Sequence, residues 1–69
     1  MERRNMEAER VRLGLTQVSL ANKLGISPVT YMNYVQGNKV PSDVLEKMAD
    51  LFHVSTDYLL ERTRNPAVS

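Results

Sequence analysis

The sequence predicts an all-α fold, a compact set of five short helices, and three observations predict it. The three glycines, Gly14, Gly25 and Gly37, all stand where helix-forming segments stop. Hydroxyl residues able to cap a helix N-terminus follow each break, at Thr16, Ser27, Ser42 and then Ser55 or Thr56. No sustained period-two alternation of apolar and polar residues is present, so no strand is expected.

Taken in order, the first helix is expected over 2–13, with Met6, Arg10 and Leu13 along one face and Gly14 as its stop. Glycine suits that position because it enters the left-handed region without a Cβ clash. The second helix, over 17–24, starts behind Thr16 and stops at Gly25. The third, over 28–36, starts behind Ser27 with Pro28 in its first position, where the missing N–H costs nothing. The fourth, over 43–52, reads "DVLEKMADLF" and carries a broad apolar stripe of Val44, Leu45, Met48, Ala49, Leu51 and Phe52. Ser42 is its expected cap, with Pro41 just outside. The fifth, over 56–61, is barely one and a half turns. The chain thus divides into one domain over 1–61 and a flexible C-terminal tail over 62–69, which lacks any periodic pattern.

A chain of 69 residues has room for one core. It has no Cys and one His, His53, so thiolate sites and zinc are not expected, and His53 is assigned no function. No apolar run approaches the ~20 residues that span a bilayer. No charge-free apolar leader stands at the N-terminus, so a cytoplasmic location is expected. No nucleophile–base pair, glycine-rich phosphate loop or pair of carboxylates flanking a cleft is evident. No enzyme activity, cofactor or small-molecule substrate is therefore expected. The net charge of +1 does not by itself point to a polyanion, but the distribution is uneven. Over 10–42 there are four cations (Arg10, Arg12, Lys23, Lys39) and no anion. From Asp43 onward five anions (Asp43, Glu46, Asp50, Asp57, Glu61) face three cations (Lys47, Arg62, Arg64). Such polarity can steer a polyanion to one face.

The segment over 17–34 is the most informative. Leu20 and Leu24 are four apart on the second helix, and Tyr31 and Tyr34 three apart on the third. Ala21 permits close backbone approach, and Gly25 and Ile26 make a tight corner. This is the pattern of a helix-turn-helix formed by helices 2 and 3. With the tyrosines turned inward, the third helix presents Val29, Asn33 and Gln36, flanked by Thr30 and Met32, with no charged residue. Met32 and Met48 read first as packing residues.

On "GLTQVSLANKLGISPVTYMNYVQGNKVPS" followed by "LEKMADLFHVSTDYLL", the chain resembles the phage repressor/Cro-type (Xre-like) family of helix-turn-helix DNA-binding domains. The resemblance covers about 6–60 and implies a lambda-repressor-like five-helix fold, an operator-binding role and frequent homodimerisation. Major-groove chemistry agrees, since Asn can pair bidentately with adenine and Val and Thr methyls can pack on thymine. Base contacts are expected from Pro28, Val29, Thr30, Asn33 and Gln36. Polar readers are common in the family where this chain has Pro28 and Val29, a departure. Phosphate contacts are expected from Gln17, Lys23, Ser27, Asn38 and Lys39. The family often has Glu two residues before the final Gly, paired to a basic residue of the first helix. Here that residue is Val35, which leaves Arg10 expected to be free for phosphate or solvent. A single domain covers one half-site, so a palindromic double-stranded operator and a homodimer, with copies about 34 Å apart, are expected. The apolar residues late in the chain, Phe52, Val54, Tyr58, Leu59 and Leu60, are the candidates for its two-fold interface. The alternatives are that the fifth helix only closes the core and, for function, that the neutral helix face docks another protein. The expected role is a transcriptional regulator acting as a repressor.

Overall fold

Each helix in the computed structural model, which describes residues 2–66, ends in the same way. The helices are α1 (Arg4–Arg12), α2 (Gln17–Leu24), α3 (Pro28–Val35), α4 (Ser42–Phe52) and α5 (Thr56–Leu59). After each last turn the chain takes a positive φ, at Gly14, Gly25, Gly37, His53 and Glu61 in turn. The next N–H then reaches back five residues: Leu15 to Arg10, Ile26 to Ala21, Asn38 to Asn33, Val54 to Ala49 and Arg62 to Asp57, at 2.9–3.1 Å. This 6→1 bond satisfies a carbonyl that the helix itself leaves orphaned. The glycine stops are those the sequence marks. His53 and Glu61 hold the same conformation without glycine, at a cost of about 1–2 kcal/mol each.

The N-termini are more varied. Side-chain oxygens of Thr16, Ser27 and Ser55 accept from the N–H groups of Ser19, Thr30 and Tyr58 at 3.0–3.1 Å. Ser55, not Thr56, therefore caps α5. Ser42 does not cap α4: the helix begins at Ser42 itself, and Pro41 takes the flanking position with φ −57° and ψ 144°. Proline's restricted φ suits that position, but it offers no capping oxygen, so Asp43 in the first turn supplies the negative charge favoured there. The start of α1 is closed by the other end of the fold. Glu61 Oε1 accepts from the Asn5 N–H at 2.7 Å, and Asn5 Nδ2 donates to the Tyr58 carbonyl at 2.8 Å.

Inside this frame lie Met6 of α1; Leu20, Ala21 and Leu24 of α2; and Tyr31, Tyr34 and Val35 of α3. Val40, Met48, Ala49, Phe52, Val54 and Leu59 complete the core. Val44, Leu45, Leu51, Ile26 and Met32 pack half-buried against it, so both Met32 and Met48 are packing residues. Phe52, Val54 and Leu59, expected at a two-fold interface, are 1%, 5% and 0% exposed within a single chain. A domain this small has so little interior that it uses its late apolar residues to close its own core. Tyr58 is half-buried and keeps part of its surface.

The expected tail over 62–69 is described as far as Pro66, whose carbonyl accepts from the Ser55 N–H at 3.2 Å; residues 67–69 lie outside the described residues. Among the described residues, no helix is long and apolar enough to cross a membrane.

Candidate nucleic-acid interface

Helix α3 is seated by its inward residues. Tyr31 is fully buried and Val35 nearly so, with Tyr34 beside them. Their spacing turns the opposite side outward: Val29 is 72% exposed, and Asn33 and Gln36 are exposed beside it. Thr30 and Pro28 are half-buried at its edge. Across the Gly25 turn, α2 holds Lys23 exposed in its last turn, and Asn38 and Lys39 are exposed just past α3. The exposed face of α3 is thus neutral, and the cations nearest it in sequence, Lys23 and Lys39, are exposed as well.

One of the expected phosphate donors is already engaged. The Ser27 hydroxyl caps α3 and donates to Thr30 Oγ1 at 2.9 Å. Gln17 is half-buried at the start of α2 and helps hold the Glu7 carboxyl below its ordinary value. Its amide has two N–H groups to offer an acceptor.

Arg10 corrects a sequence expectation. It is not left free by Val35, because Glu7, one turn earlier on its own helix, takes the pairing. Arg10 Nε and a terminal nitrogen donate to the two Glu7 oxygens at 3.0 and 2.9 Å, and a third nitrogen donates to the Leu15 carbonyl at 2.6 Å. The Tyr31 hydroxyl donates to the same Glu7 Oε1 at 2.7 Å. The Arg10 hydrogen bond holds the Glu7 carboxyl below its ordinary value, against an opposing push from burial, with Tyr31 and Gln17 assisting. Burial, with the Glu7 hydrogen bond second, pushes the Tyr31 hydroxyl well above its ordinary range, so it remains a proton donor. A carboxyl depressed on folding contributes stability that is complete above its unfolded value, about 4.5, and lost as pH falls through the lower folded value. The stability difference between the native chain and Glu7→Gln is therefore expected to be constant at neutral pH and to shrink below about pH 4.5. Urea denaturation of both chains at several pH values measures it, and a difference that grows on acidification would contradict the assignment.

Sequence reasoning missed three charged residues that tie the elements of the fold together. Arg3 donates its backbone N–H to the Val35 carbonyl and its guanidinium to the carbonyls of Tyr34, at 2.7 Å, and Asn38. A positive group thus meets the negative end of α3 and ties down the segment carrying Asn38 and Lys39. Glu7 and Glu9 are the others; Glu9 pairs with Arg12 at 2.8 Å, and Arg12 also donates to the Phe52 carbonyl at 3.1 Å, closing α4. The Glu7–Arg10 and Glu9–Arg12 spacings of three were legible as helix-surface pairs. Nothing local marked Arg3, whose acceptors lie 31 to 35 positions away.

The helix-turn-helix family matches residues 6–59, and the chain belongs to that family, in its Xre/Cro–C1 type of DNA-binding domain. Among curated proteins it is similar to the HTH-type transcriptional regulator ImmR of Bacillus subtilis (strain 168), at 38% identity over 58 residues, 83% of this chain and 46% of ImmR. It is also similar to the uncharacterized HTH-type transcriptional regulator YobD of the same organism, at 42% identity over 53 residues, 75% of this chain and 47% of YobD. The chain spans about half the length of these relatives. No solved structure gives a significant match.

Proposed function

We propose that the chain is the operator-binding part of a transcriptional repressor, cytoplasmic, reading the major groove of double-stranded DNA with α3. The observation that carries this reading is the exposed, uncharged face of Val29, Asn33 and Gln36 on a helix anchored by Tyr31, Tyr34 and Val35. Asn33 is the strongest candidate for adenine, Val29 and Thr30 pack on thymine methyls, and Pro28 and Gln36 border them. Lys39, Asn38, Lys23 and Gln17 grip the strands. Ser27 serves as a helix cap first. The chain is 28 Å in its longest dimension, shorter than the about 34 Å between successive half-sites on one face of the duplex, so one copy engages one half-site. Two copies on a palindrome follow. Tyr58, but not Phe52, Val54 or Leu59, has surface left for contact between them.

Selection of bound duplexes from a random pool tests the proposal, with a shared sequence emerging as the expected result. Binding to that sequence should weaken with salt, and Lys39→Ala should reduce the slope of log K against log salt by about 1 while weakening all sequences alike. Recovery of no preferred sequence, together with salt-independent binding, would defeat the proposal and favour a protein partner for the Val29 face.

A further inference from the structure

Glu7 lies on α1, away from the outer face of α3, yet groups that set that face converge on its carboxylate. Tyr31 of α3 and Arg10 of α1 donate to it at 2.7–3.0 Å. Arg10 extends the cluster to the Leu15 carbonyl in the turn between α1 and α2. We propose that Glu7 is a positioning residue for DNA readout, fixing the seat of α3 through Tyr31. The inference rests on the DNA reading above.

Apolar packing alone fills the space beneath α3 but tolerates small rotations and slides, because dispersion contacts have little directionality. Readout of base edges needs placement within about 0.5 Å. A hydrogen bond from the fully buried Tyr31 to a charged acceptor is short, directional and stronger than a neutral one, so it selects one rotation of α3 about its axis. Val35, being apolar, gives Arg10 no charged partner on α3, so the Tyr31–Glu7 bond joins the recognition helix to the α1 ion pair.

The test compares binding of the selected sequence with binding of a random-sequence duplex, for the native chain, Glu7→Ala, Tyr31→Phe and the double variant. All are measured below their melting temperatures, with folding checked by circular dichroism. Glu7→Ala removes a negative charge, which by itself leaves non-specific binding unchanged or tightens it. Positioning predicts the opposite for selectivity: the ratio of the two affinities falls about tenfold, the factor of one lost contact of ordinary strength. Tyr31→Phe keeps the ring and all charges and should lose selectivity in the same direction. The double variant should lose no more than Glu7→Ala alone, because both act through one bond. Variants that melt earlier but keep the native selectivity would make Glu7 purely structural and overturn the inference, as would full additivity. If Glu7→Ala fails to fold, Tyr31→Phe decides alone. A native chain with no sequence preference would instead show that the DNA reading itself is wrong.

Discussion

Phe52→Ala is expected to remove about 3–5 kcal/mol of folding stability. The ring is 1% exposed and packs in the core next to Val54 and Leu59, so truncation leaves a cavity that a small bundle only partly collapses. Domains of this kind have roughly 5–15 kcal/mol in total, so the variant should be marginal or largely unfolded at 37 °C. Urea denaturation gives the size of the loss. The same experiment at two protein concentrations separates the core role from an interface role. A core residue gives a midpoint shift independent of concentration, whereas an interface residue gives one that depends on it. A concentration-dependent shift, or a loss below about 1 kcal/mol, would return Phe52 to the two-fold interface.

Asn33→Ala is expected to weaken binding to the selected sequence by about 1–3 kcal/mol and to relax preference at one base pair, with little change on random DNA. Asn33 is exposed in the middle of α3, one turn beyond Val29, with no side-chain hydrogen bond among the described residues. The substitution should therefore be almost neutral for stability, and alanine favours helix. Repeating the selection with the variant shows which base pair has lost its preference. Equal weakening on every duplex would assign Asn33 to general strand contact and remove the base-reading role.

Much of this surface was legible before any coordinates. The inward pair Tyr31 and Tyr34 and the outward set Val29, Asn33 and Gln36 follow from helical spacing, because a period of 3.6 residues sorts side chains onto faces whatever the neighbours are. Pro28 after Ser27 marked the start of α3, and Gly25 and Gly37 marked the ends of α2 and α3, since each rests on the conformational range of one residue. The stop of α4 at Phe52 was legible, whereas α5, expected to reach 61, ends at Leu59. The positive φ of His53 and Glu61 was not legible, since neither is glycine; the Glu61 side chain is tied to the Asn5 N–H, 56 positions away.

The division is therefore between local and non-local physics. The amino-acid sequence by itself determined five helices, where most of them begin and end, and an uncharged outward face on the third. Those features depend on windows of a few residues and on the stereochemistry within them. Only the tertiary structure decided which partner each charge takes and which apolar residues are spent on the core. Arg10 had several candidates and took Glu7, and Arg3 crossed to the end of α3. Phe52, Val54 and Leu59 went inward. Such choices are competitions among residues far apart in the chain. They are settled by how a small core must be filled and by which buried polar groups would otherwise go unpaired.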